Sequence, residues 1–231
     1  MLPRVPDVLW EPDVCRFKGL SIALAIVQDV SVVRRQPEVD ELRRSIEEKV
    51  RASYTLSSLK DVPYIRAYRD FFWRMGIDPT KHRPASEALI RRILRGQSIP
   101  QILNVVDLYN IASVETLVTM SAYDLEKVSP PLSIRFAKPS EEVVLIGARR
   151  MKLTGHELVL ADSEKVLCVY VHGDVDECKV TEDTRNLLLV AYGAPGVSPS
   201  SVREGLEKAV GYIIKYAGGS PSDVSLHECL R

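Results

Sequence analysis

The chain has 231 residues, is 45% hydrophobic and 27% charged, and carries 31 basic against 31 acidic side chains. This is an ordinary globular composition, long enough to bury a sizeable core, and no run approaches the roughly 20 apolar residues of a membrane-spanning helix. The neutral total hides an asymmetry: residues 1–96 hold 18 Lys+Arg and 13 Asp+Glu, residues 97–231 the reverse, 13 and 18. A basic half can steer a polyanion or be simply a solvated helical face.

The first thirty-odd residues read as strand, above all Leu20–Val33 with its Ile and Val. A helix is expected near Pro37–Ser53, where Val39, Leu42, Ile46 and Val50 share a stripe. A second spans about Val62–Met75, with Ile65, Tyr68, Phe72 and Met75 on one face, and is stopped by Gly76 and Asp78-Pro79. A third runs from near Pro84 to Gly96, with Leu89, Ile90, Ile93 and Leu94 opposite Arg91, Arg92 and Arg95. A short helix is expected at Ile102–Ser113. Beyond it come short β-prone runs, Ser133–Ala137, Val143–Ile146, Glu157–Leu160, Val166–Val171 and Asn186–Ala191, separated by turns. A closing helix is capped by Ser198, entered by Pro199 and stopped by Gly218-Gly219. Helices early, strands later and no βαβ alternation define an α+β fold, a helical N-terminal part packed on a strand-rich β-sheet region.

Few chemical motifs stand out. Cys15, Cys168, Cys178 and Cys229 form no C-x-x-C pair, so reduced cytosolic thiols are expected rather than a disulfide framework. The N-terminus lacks a signal-peptide layout, and a cytoplasmic location is expected. The four histidines show no metal-ligand spacing, so no metal and no cofactor is expected; His172, in an acidic turn, reads as a loop histidine. No nucleophile elbow, Walker loop or dinucleotide fingerprint is present. Ser121-x-x-Asp124 has the spacing of a helix cap. The segment Tyr64–Gly96 is Arg-rich with interleaved aromatics. Arg83, Arg91, Arg92 and Arg95 are its candidates for RNA phosphates, while its aromatics follow the helix core.

Three short signatures occur in order: Asn104-Val-Val-Asp107-Leu-Tyr-Asn110, Met120-Ser121-Ala122-Tyr123-Asp124-Leu-Glu-Lys127, and Val180-Thr-Glu-Asp-Thr184-Arg-Asn186. They resemble the editing module, the B3/B4 domain, of the phenylalanyl-tRNA synthetase β subunit. There the segments run close to N-x-V-x-D-x-x-N, Q-P-x-H-A-F-D-x-x-K and G-G-E-x-S-x-V-x-x-x-T-x-N. The resemblance covers about residues 60–195. It implies one three-layer B3/B4-like domain over 1–231, with an extension at 1–60, a core module at 61–195 and a C-terminal helix and tail at 196–231. The Arg69–Arg92 stretch further resembles stand-alone members, which carry no aminoacylation machinery.

In the synthetase this module hydrolyses tyrosine wrongly esterified to the phenylalanine tRNA. The resemblance therefore implies tRNA or aminoacyl-tRNA as partner, a pocket formed by Asn104, Asp107, Asn110, Tyr123, Asp124, Lys127 and Asn186, and chemistry at Ser121 and Asp176. Two positions depart from the family. Its histidine falls on Ser121, and its Gly-Gly-Glu falls on Asp174-Val175-Asp176, which keeps the acid as Asp176. The matched polar residues also have a purely structural reading: Asp107, Asn110 and Asn186 can satisfy backbone groups at turns, and Asp124 and Lys127 can pair. Three functions stand open: an RNA-binding module that edits mischarged aminoacyl-tRNA in trans, a non-enzymatic module that binds a free amino acid or a protein in the same cleft, or a regulatory or scaffolding protein that uses only the fold.

Overall fold

A computed structural model describes residues 4–229. Strand β1 (Val8–Trp10) and a turn of 3-10 helix lead into β2 (Ser21–Gln28), which is buried along nearly its whole length. β2 ends earlier than its apolar composition predicts. Asp29 adopts φ 58°, and the next N–H groups, of Val30 and Ser31, leave the ladder to donate to Arg185 O and Ala217 O.

Helices α1 (Pro37–Ser53), α2 (Pro63–Arg74) and α3 (Ala85–Leu94) follow. Proline opens α1 and α2, where its missing N–H is harmless, and Gly76 closes α2 at φ 76°, a left-handed position that costs glycine little. Helix α4 (Asn104–Thr116) is longer than the expected Ile102–Ser113 and apolar around most of its girth, because it packs between α1, α3 and the C-terminal helix. Leu117 at φ 64° turns the chain sharply into β3 (Thr119–Asp124).

This strand takes the place of the helix cap that the Ser121-x-x-Asp124 spacing suggests. The meander continues through β4 (Leu132–Phe136), β5 (Glu142–Leu145), β6 (Arg149–Lys152), β7 (Leu158–Ala161), β8 (Val166–Val169), β9 (Gly173–Asp174) and β10 (Leu187–Gly193). Helix α5 (Pro199–Ala217) is capped as expected by Ser198 Oγ, which accepts from Ser201 N, and the chain ends with β11 (Ser220–Pro221) and β12 (Ser225–Glu228).

Two main sheets result. In one, β2, β10 and β3 are antiparallel neighbours, and β11 and β12 both pair along the outer edge of β2. The other runs β1-β4-β7-β8-β9, all antiparallel except the β1–β4 pair, and β5–β6 form a separate hairpin. Helices α4 and α5 pack on the first sheet. Because residues alternate along β3, Met120 faces Gly205 of α5 while Ser121 and Tyr123 face the second sheet. Helix pair, sheet and sheet thus form three layers of a mixed α+β fold.

The cysteine expectation is corrected. Cys15 and Cys229 form a disulfide, with Cα atoms 5.4 Å apart. Their separation of 214 residues leaves no spacing to read in the sequence; the tail returns through β12, and Cys229 N donates to Leu20 O. Cys168 and Cys178 are free and buried. No helix of the described residues is long and apolar enough to cross a membrane. Cross-linking such distant residues chiefly restricts the unfolded chain. Replacing both Cys15 and Cys229 by Ala is therefore expected to lower unfolding free energy by about 2–4 kcal/mol, read from urea titrations, with added reductant reproducing the loss in the parent protein only.

Candidate functional site

Thr119, Ser121 and Tyr123 are spaced by two along β3, and Tyr192 lies opposite Thr119 on β10. These side chains meet the end of β8 and the start of β9. A cavity of about 330 Å³ opens there, walled by α2 and the start of α3 on one side and the 168–174 segment on the other. Phe71, Phe72 and Val169 supply apolar wall, and Tyr68, Tyr109, Tyr170 and Tyr192 supply hydroxyl-bearing rings.

The polar centre is Asp174. Ser121 Oγ lies 2.9 Å from both carboxylate oxygens, and Tyr123 OH donates to Oδ1 at 2.8 Å. Tyr123 OH also shares a 2.6 Å hydrogen bond with Tyr192 OH, whose ring meets Tyr170 edge-on at 5.1 Å. Asp174 is partly exposed as a residue through the cavity, yet its carboxylate is enclosed by protein. Burial raises its pKa above the usual carboxylate range despite the donors from Tyr123 and Ser121. Burial, reinforced by Asp174, lifts the Tyr109, Tyr123 and Cys168 groups well above their ordinary values. Burial thus favours the protonated form of the Cys168 thiol. At the cavity wall, His172 stacks edge-on with His82 at 5.4 Å, and burial with the neighbouring His82 and Arg149 lowers its pKa, so it is neutral at neutral pH.

The expected site residues divide into two groups. Ser121 and Asn110 line the cavity, and the buried Tyr123 reaches its carboxylate from below. Asp176 does not join them. It pairs with Lys179 Nζ at 2.8 Å outside the cavity, and the acid beside Ser121 is Asp174. Counting back from Val180 misplaces the acid because a turn of 3-10 helix, Asp176–Cys178, follows β9 and carries Asp176 away.

The remaining matched residues fasten the framework. Asn104 Oδ1 accepts from Val33 N and Val105 N while Nδ2 donates to Ser31 O and Gln36 Oε1, which ties the loop after β2 to α4. Asp107 accepts from Arg43 Nη2 at 2.6 Å and from Ile102 N. Asp124 accepts from Thr184 Oγ1 and Glu126 N and pairs with Lys127 at 3.5 Å. Asn186 Oδ1 accepts from Asp29 N, and its amide donates to Glu126 Oε1.

The arginines divide as well. Arg83 lines the cavity. Arg91 turns inward, its Nε 2.7 Å from Glu87, which also holds Arg69 at 3.0 Å. Arg92 and Arg95 are exposed, Arg92 Nε donating to Ser98 O. Asp174, Tyr109, Tyr170, Tyr192 and His172 are cavity residues that the motif reading passed over. The alternation Cys168, Tyr170, His172, running from β8 into the turn before β9, was the available signal for Tyr170 and His172.

Residues 67–218 match the B3/4 domain family, and the chain belongs to it. It is 27% identical over 232 residues to the phenylalanine–tRNA ligase beta subunit of Haemophilus ducreyi, covering 90% of this chain and 28% of that protein. With the same subunit of Idiomarina loihiensis it shares 28% identity over 230 residues, 87% of this chain and 27% of that one. The chain thus spans just over a quarter of these relatives. An N-terminal fragment of the phenylalanyl-tRNA synthetase beta-subunit from Pyrococcus horikoshii aligns in structure at TM-score 0.49 and 16% identity, over 95% of this chain and 53% of that one.

Two measurements check this electrostatic layout. Glu87 is fully buried between Arg69 and Arg91, so Glu87→Ala should cost about 3–5 kcal/mol by leaving half-buried guanidinium groups unpaired, seen as a shift of the urea midpoint. Asp174 has the opposite signature. Its folded pKa is raised, so its ionisation penalises folding above that pKa, and the penalty vanishes below the unfolded value. Asp174→Asn should therefore stabilise the protein at pH 7, with the gain shrinking to nothing as pH falls below about 4. A pH series of unfolding midpoints for parent and variant reads the sign directly.

Proposed function

We propose that this chain is an editing-type module that takes the aminoacyl end of a tRNA into the Asp174 cavity and hydrolyses its ester. The observation that carries this is the meeting of Ser121, Tyr123, Asn110 and Asp174 at one 330 Å³ cavity, in a chain of the B3/4 family. The volume falls within the usual range for small-ligand pockets. In this reading the buried carboxylate receives the ammonium of the esterified amino acid, the one cationic group common to all such substrates. A water held by the neighbouring polar groups adds to the ester carbonyl, the carbon–oxygen bond to the ribose breaks, and the ribose oxygen takes up a proton. An aminoacyl ester is intrinsically reactive, so positioning and electrostatic complementarity suffice.

Helix α3 supports a nucleic-acid partner. It starts at the cavity wall with Ala85 and carries the exposed Arg92 and Arg95 about 10–15 Å further along its axis. That spacing suits the backbone of a single-stranded acceptor end whose terminal ester sits in the cavity.

The test is loss of ester from a panel of mischarged tRNAs, tyrosyl-tRNA among them. Acceleration over buffer is expected, falling at least about tenfold in Asp174→Asn because the charge that holds the ammonium is gone. Arg92→Gln with Arg95→Gln should weaken tRNA binding and flatten its salt dependence without touching the cavity. Tight binding of aminoacyl ends with no turnover anywhere in the panel would replace the hydrolase with a binding module; Ser121 in place of the family's imidazole is the feature that would then explain it.

A further inference from the structure

Among the described residues, six buried side-chain polar atoms have no hydrogen-bond partner, and three of them belong to residues of this one cavity: Arg83 Nε, Thr119 Oγ1 and Tyr170 OH. Chance scatter through the fold would not gather them. Tyr170 is more than nine-tenths buried, and an unpartnered hydroxyl at that depth carries its full desolvation penalty. Arg83 adds a guanidinium that carries a positive charge at any pH of interest. Among the described residues, Arg83 and Asp174 are the only Lys, Arg, Asp or Glu on the cavity lining. They are not spent on each other, since Asp174 is held by Ser121 and Tyr123.

The geometry points to a second subsite in the cavity, formed by Arg83, Tyr170 and Thr119, that binds an anionic oxygen group on the same ligand whose ammonium lies on Asp174. All three side chains can donate a hydrogen bond, and Arg83 can only donate. A lone carbonyl or ring would leave donors and the positive charge unanswered. A carboxylate or a phosphate answers both. This deepens the aminoacyl reading and rests on it. Two parts of such a ligand carry that chemistry: an acidic side chain on the esterified amino acid, or the 5′-phosphate of the terminal nucleotide.

The probes are adenosines bearing a non-hydrolysable 3′-amide-linked amino acid: phenylalanyl-adenosine, glutamyl-adenosine, and phenylalanyl-adenosine with a 5′-phosphate. Each is titrated calorimetrically into the whole chain. One of the two probes that carry an anionic group is expected to bind at least about tenfold more tightly than phenylalanyl-adenosine, which has none, as one charge-assisted hydrogen bond allows. Gain with glutamyl-adenosine alone assigns the side chain as the source, and gain with the 5′-phosphate alone assigns the nucleotide. The gain should collapse in Arg83→Gln and shrink in Tyr170→Phe. In the free protein Tyr170→Phe should leave the melting temperature unchanged or higher, because the hydroxyl has no partner to lose; a merely structural tyrosine would lower it. No gain from either anion, or a gain that survives Arg83→Gln, overturns the subsite while leaving the aminoacyl cavity standing. Failure of every probe to bind overturns both.

Discussion

The clamp of Ser121 and Tyr123 on the Asp174 carboxylate is the interaction on which the rest of the molecule turns. It joins the two sheets through a buried carboxylate, and it does so with neutral donors only. The other buried carboxylates are treated differently. Asp107 has Arg43, and Glu87 has two arginines. Hydroxyl donors solvate a carboxylate but do not cancel its charge, and burial raises its pKa in spite of them. A buried anion with a hydrogen-bond shell and no counter-ion stabilises the fold poorly and receives a cation well.

The polar residues shared with the B3/4 signature mostly hold this clamp in position rather than touch the cavity. Asn104 makes four hydrogen bonds across the loop that leaves β2, fixing α4 against the sheet. Asp124 and Thr184 close the end of β3 against the segment entering β10. Asn186 reaches the left-handed Asp29 at the end of β2. Each satisfies backbone or side-chain groups where a strand or helix stops, and together they set the register of β2, β10 and β3. Register matters because a one-residue slip of β3 would turn Ser121 and Tyr123 toward α5 and away from Asp174.

Elements with a strong apolar period were legible in the sequence. α1, α2, α3 and α5 lie where stripe, proline and glycine place them, and the α+β class follows from their order. β3 was not legible, because Thr-Met-Ser-Ala-Tyr-Asp is a strand whose polar face lines a cavity, and such a face removes the Val/Ile run that marks a strand. The site was half legible. Ser121, Tyr123 and Asn110 came from motif order. Asp174 stayed hidden because motif counting treats the 3-10 turn at Asp176–Cys178 as if it were extended chain. The disulfide and the tyrosine cluster depend on contacts between residues tens to hundreds of positions apart, and no local pattern records them.

Ser121 brings a hydroxyl to the cavity, a group that does not ionise there. Burial lowers the pKa of His172 at the wall and raises those of the Cys168 thiol and the tyrosine hydroxyls, and Asp174 is the buried acid of the cavity, its pKa raised by burial. On the proposed reading, an ammonium placed against Asp174 favours the ionised carboxylate and pulls its pKa back down. Binding and proton release are then linked: ligand binding ionises the acid, and conditions that ionise the acid favour the ligand. On that reading the carboxylate that weakens the free fold is also the group that recognises the ligand.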